Sequence, residues 1–209
     1  MTYSPERLAY WYFRLNGFLT IENFIVHPDE GRDQRTDADL LAIRFKHRKE
    51  NIVSPMQDDW RVAECVSFSN IIIAEIKTGY CALNGPWTVP ARMNMERVLR
   101  AIGCVDEHVM QQAASCLYEN GLWQGGTVTV RLFAVGEEKS HLVIPEDQQL
   151  IWSDIIQFLI ERFCEFRRQK SSVGQWTSDG KKLQRLALNR DEVAIRQCFR
   201  LSAGGPHVG

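Results

Sequence analysis

From Phe18 to Val26 apolar and polar positions alternate. Phe18, Thr20, Glu22, Phe24 and Val26 fall on one side and Leu19, Ile21, Asn23 and Ile25 on the other, a period of two that predicts a β-strand. Residues 4–16 before it follow a helical period. Leu8, Tyr10, Trp11, Phe13 and Leu15 form an aromatic-rich face suited to packing on a sheet, Ser4 and Pro5 supply a start, and Asn16-Gly17 a stop. The polar run at 27–35 reads as a loop leading into a second strand over 37–45, and Ile71-Ile72-Ile73-Ala74-Glu75-Ile76-Lys77 as a third, apolar on both faces until its end. Between the second and third strands, residues 46–69 lack periodicity and read as an insertion near the mouth of the site that the strands form, there either to clamp a ligand or to pad the fold.

After Gly79 the chain is rich in turn residues as far as Pro90. Helical spacing then predicts helices over 91–102 and 106–118, and alternation predicts strands over 127–135 and 142–145. Ser153 opens an amphipathic helix through Ile155, Ile156, Phe158, Leu159, Phe163 and Phe166 to about residue 170, and a loop with a weaker helix occupies 171–190. The expected architecture is α/β. Residues 1–150 make a mixed central sheet with the N-terminal helix on one face and later helices on the other, and residues 151–209 make a basic helical extension packed on that core, ending in a mobile Gly-Gly-Pro-His-Val-Gly tail.

The composition is that of an ordinary globular chain: 209 residues, 44% apolar and 24% charged, long enough for one substantial core. No apolar run is long enough to span a bilayer and the N-terminus lacks a signal-peptide layout, so the expectation is a cytoplasmic protein with no membrane partner. Six scattered cysteines contain no Cys-x-x-Cys pair and read as buried thiols. The histidines lack metal-ligand spacing, and no phosphate-cradling glycine motif occurs, which excludes triad chemistry and nucleotide-driven function from the expectation. The net charge of -1 argues against coating nucleic acid by charge alone, but its distribution is uneven. Ten basic residues face four acidic ones between Arg162 and Arg200. Arg167, Arg168, Lys170, Lys181 and Lys182 in that stretch are candidates for contacts to nucleic acid phosphates, the alternative being a solvated helix face.

The chemistry concentrates at the ends of two strands. Alternation sets Glu75 and Lys77 on one face of theirs and Asp37 and Asp39 on one face of the other, so pairing the strands converges carboxylates and an ammonium. Mg²⁺ takes oxygen ligands and commonly uses one or two protein carboxylates with water and substrate phosphate, which suits this inventory. Asp37 lies one pleat period before Asp39, either touching the cation through water or occupying the turn.

These residues resemble the PD-(D/E)XK, or restriction-endonuclease-like, nuclease superfamily, and within it the small resolvase-like bacterial branch. The resemblance covers roughly residues 5–80 and is carried by Leu15-Asn16-Gly17-Phe18-Leu19, Asp39-Leu40-Leu41-Ala42 and Glu75-Ile76-Lys77-Thr78, with Ala38 where the family's name has proline. It implies Asp39 and Glu75 as metal ligands with the Ile76 carbonyl, Lys77 as the catalytic lysine, and Glu6 or Glu22 as the early acidic residue. It further implies Mg²⁺ or Mn²⁺ as cofactor, hydrolysis of phosphodiester bonds, DNA as the foremost partner, and assembly as a homodimer or within a larger complex. The alternatives are a nuclease fold kept as a non-catalytic binding module, and an enzyme acting on small phosphoesters.

Overall fold

The computed structural model describes residues 1–27, 36–50, 56–63, 68–141, 144–171, 174 and 176–202. Most of the 27–35 loop, Cys65, residues 142 and 143 of the expected fifth strand, and the C-terminal tail lie outside them. The elements run α1 (Pro5–Leu15), β1 (Leu19–Val26), β2 (Thr36–Arg44), α2 (Trp60–Ala63), β3 (Ser69–Ile76), α3 (Gly85–Thr88), α4 (Asn94–Ile102), α5 (Met110–Asn120), β4 (Leu122–Gly125), β5 (Val128–Gly136), β6 (Gln149–Ile151), α6 (Trp152–Glu165), α7 (Arg167–Ser171), α8 (Ser178–Leu188) and α9 (Glu192–Cys198).

β1, β2 and β3 form an antiparallel meander, and β3 then pairs in parallel with β5 along its full length. The other edge of β5 pairs first with β4, antiparallel, and then with β6, in parallel. A parallel pair requires a crossover, and the segment holding α3, α4 and α5 provides it. The result is an α/β protein with a mixed six-stranded sheet flanked by helices. β3 and β5 lie at its centre, which is why they are apolar on both faces.

Two apolar layers enclose the sheet. Leu41, Ile71, Ile73, Val130 and Leu132 pack under α3, α4 and α5. Leu40, Ala42, Ile72, Ala74, Phe133 and Val135 pack under α1 together with the C-terminal helices α6, α8 and α9. The helices between β3 and β5 thus lie opposite the N-terminal helix, as expected of the later helices of the core, while the helices after residue 151 pack on the same face as α1. Trp11 joins α1 to α8. Its ring is fully buried, meets Trp176 at 5.2 Å between centroids, and lies where a Cβ on Gly180 would stand at 2.2 Å, so α8 approaches only because that position is glycine.

Several boundaries differ from the periodicity. Met93 takes a left-handed φ of 52°, splitting the expected 91–102 helix into a 3₁₀ turn and α4. The 153–170 helix stops at Phe166 and resumes as α7. The described part of the 46–69 segment lies not at the mouth of the Asp39 and Glu75 site but at the other end of β2. There Arg44 and Arg48 hold Asp58 at 2.6 and 3.0 Å, and Lys170 of α7 holds Glu50 at 2.5 Å. Arg44 is five residues along β2 from Asp39, or about 17 Å at the rise of an extended strand.

Candidate active site

The antiparallel ladder of β2 and β3 ends at the pair Leu40 and Ala74. One step further the same register sets Asp39 opposite Glu75, and there a side chain replaces the ladder: Asp39 Oδ2 accepts the Ile76 N–H at 2.7 Å. Across β2, Asn23 of β1 adopts a left-handed φ of 51° and drops out of the pairing between Glu22 and Phe24. The pleat of β1 and β2 is thus interrupted on both sides of Asp39, the bulge-like behaviour through which a strand re-aims a side chain.

Glu75 is 2% exposed at the end of an otherwise apolar strand. Burying a carboxylate costs several kcal/mol unless hydrogen bonds replace its water, and here they do. Oε1 accepts from Lys77 Nζ at 2.5 Å and from Asn84 Nδ2, while Oε2 accepts from Trp87 Nε1 at 2.7 Å. Lys77 keeps 29% of its side chain exposed. Its backbone is pinned: Lys77 N–H donates to Val135 O at 2.8 Å and Trp152 Nε1 donates to Lys77 O at 2.9 Å. Beyond it the chain runs tight against the end of β5, where a Cβ on Gly136 would fall 2.5 Å from Gly79 O. The lysine thus has a fixed base and a partly exposed tip.

Asp39 is half-buried and its carboxyl is pushed up to about 6. Burial is the main cause, the Ile76 N–H and Lys77 oppose it, and the charges of Glu75 and Glu6 add to it. Glu6, in the first turn of α1, therefore belongs to the electrostatic neighbourhood of Asp39. Glu22 is tied elsewhere: its Oε1 lies 3.0 Å from Arg7 Nη1, and Arg7 also holds Asp179 of α8 at 2.6 Å. Asp37 sits in β2 opposite Ile25.

Of the basic residues, Arg167, Arg168 and Lys181 are exposed and Lys182 is half-buried. Lys170 is turned inward, 7% exposed and bound to Glu50. Sequence reasoning did not single out Asn84 and Trp87, read only as part of a turn-rich stretch. The signal available was that a buried indole N–H needs an acceptor, and Glu75 is the acid on the preceding strand.

Among the described residues no group of three His, Cys, Asp or Glu side chains is gathered for a metal ion, the five described cysteines are free thiols, and no helix is long and apolar enough to cross a membrane. No family model, curated protein or solved structure matches this chain.

Proposed function

We propose that the chain is a metal-dependent nuclease of restriction-endonuclease-like architecture, hydrolysing phosphodiester bonds in nucleic acid, with DNA the foremost substrate. The observation that carries this reading is the meeting of Asp39, Glu75 and Lys77 at the open end of the β2 and β3 ladder. The order of elements agrees with it: a helix, a three-stranded antiparallel meander, crossover helices and a parallel strand.

The donor set fits a hard divalent cation. Asp39 is raised chiefly by burial and further by the charges of Glu75 and Glu6, which a cation would offset, and one or two carboxylates are the protein ligands that Mg²⁺ commonly uses. Asp39 and Glu75 would hold Mg²⁺ or Mn²⁺ with the Ile76 carbonyl. Bound there, the cation supplies Lewis-acid polarisation of the phosphoryl group. Lys77, whose partly exposed ammonium is carried on a fixed base, would orient the attacking water and offset the negative charge that grows on the phosphorus-bound oxygens. Glu6, felt by Asp39, is better disposed than Glu22 to act as the early acid. Exposed Arg167, Arg168 and Lys181, with half-buried Lys182, remain the proposed phosphate contacts; Lys170 is withdrawn, its ammonium being occupied.

The test is cleavage of single-stranded, duplex and branched DNA and of RNA with Mg²⁺, Mn²⁺ or EDTA, beside Lys77→Ala. Metal-dependent cutting that the variant loses supports the reading; cutting retained by Lys77→Ala overturns it. A second reading has one observation in its favour. Both Glu75 oxygens already have partners, as expected of a nuclease fold retained as a binding module. Mn²⁺ binding abolished by Asp39→Asn decides for the enzyme; indifference to Mn²⁺ decides for the module.

A further inference from the structure

We infer that Trp87 is a positioning residue for Glu75, committing Oε2 to the fold and leaving Oε1 as the oxygen that exchanges partners when a divalent cation binds; the inference rests on the metal-site reading above. The two Glu75 oxygens differ in the kind of partner they have. Oε2 faces a donor that cannot move: Trp87 is 2% exposed and packed in the cluster with Met95, Val98 and Leu99 under the sheet. An indole nitrogen donates and never accepts, so this hydrogen bond persists only while the Glu75 side chain keeps its present orientation.

Oε1 faces movable donors. Asn84 is exposed, and Lys77 ends a flexible four-carbon stem that is partly in solvent. Each can turn to water at little cost. Trp87 cannot, because a buried donor left without an acceptor costs about 1–3 kcal/mol. Local sequence explains how the ring gets there. Asn84 in extended conformation precedes Gly85-Pro86, the proline sits in the first turn of α3, and the turn delivers Trp87 beneath the end of β3 twelve residues after Glu75. Partners that orient a ligand's second atom are typically worth about 10–100-fold in metal affinity. A rigid neutral donor does this without competing for the cation's charge.

Trp87→Phe keeps the ring and removes the N–H. The experiment measures Mn²⁺ affinity by calorimetry for wild type, Trp87→Phe and Asn84→Ala, and follows the Trp87 indole ¹H–¹⁵N resonance in wild type, with and without Mg²⁺, and in Glu75→Gln. The expected result is an affinity lowered about 10–100-fold in Trp87→Phe, a smaller change in Asn84→Ala, and an indole resonance that moves on adding Mg²⁺ and in Glu75→Gln without metal. Affinity unchanged in Trp87→Phe overturns the positioning role. A resonance indifferent to Glu75→Gln overturns the contact itself, and this comparison needs no Trp87 variant to fold. Absence of Mn²⁺ binding by wild type removes the metal reading and the exchangeable oxygen with it, while the Glu75→Gln comparison still decides separately whether Trp87 holds Glu75.

Discussion

The two ends of β2 both carry charge into the protein, with opposite outcomes. At the Arg44 end, Asp58 is enclosed by Arg44 at 2.6 Å, Arg48 at 3.0 Å and Arg162 at 3.6 Å, and Glu50 is shared between Arg48 and Lys170. Asp58 and Glu50 each have more than one cation. At the Asp39 end, Lys77 is the cation that faces Asp39 and Glu75, and Asp39 is raised chiefly by its burial, with the charges of Glu75 and Glu6 adding to it. The first cluster is closed on itself and ties Asp58 to α6 and Glu50 to α7. The second has Lys77 as its cation and reaches solvent through it, which is the arrangement the proposed metal and phosphate site calls for.

The comparison is most strongly tested by removing charge at each end. Asp58→Ala leaves buried guanidinium groups without their carboxylate, and by the usual cost of breaking a buried ion pair it destabilises the fold by about 3–5 kcal/mol, read from urea unfolding. A loss under about 1 kcal/mol would mean that the closed cluster is decorative. Lys77→Ala is expected to act oppositely, lowering metal-dependent cleavage by about 10²–10³-fold while costing about 1 kcal/mol in stability, because Asn84 and Trp87 continue to satisfy Glu75.

A third prediction concerns the strap between α1 and α8. Burial alone would raise the Asp179 carboxyl, but hydrogen bonds from Thr177, Trp11 and Arg7 outweigh it and the net shift is downward. A carboxyl lowered in the folded state contributes stability that is present above its unfolded value, about 3.9, and lost as pH falls through the folded value. Asp179→Asn should therefore lower Tm near pH 7, by about 1–3 kcal/mol in equivalent stability, with the difference closing in acid. A constant difference from pH 7 to pH 2 would contradict this. The smallest effect belongs to Asp39→Asn. It removes a half-buried charge repelled by Glu75 and Glu6 while keeping an oxygen for the Ile76 N–H, so the metal-free protein should gain about 1 kcal/mol, some 2–4 °C in Tm for a chain of this size. A fall in Tm would show that the acid is structural.

Much of the fold was legible where local patterns suffice. α1, with Pro5 at its start and Asn16-Gly17 at its end, and the first three strands lie within a residue or two of their expected spans, since alternation and punctuation are properties of neighbouring residues. β4 was not legible, because the four residues Leu-Trp-Gln-Gly are too few to show a period. α9 could have been found from Asp191, whose side chain caps it by accepting the Ala194 N–H. The break at Met93 has no local signal in a residue that usually continues a helix.

The sequence by itself determined that Glu75 and Lys77 share a face, that Asp39 lies near a strand start, and that a mixed α/β sheet would form, because side-chain parity and hydrophobic period are set by adjacent residues. Only the tertiary structure decided that Glu6 adds to the field at Asp39 while Glu22 is held by Arg7, that Lys170 points inward, and that Trp87 reaches Glu75. Each of these depends on how an element crosses the sheet and which distant charge or acceptor it meets there, and that is settled by burying the shared cores of α1, α6 and α8 and of α3 to α5, not by any stretch of chain alone.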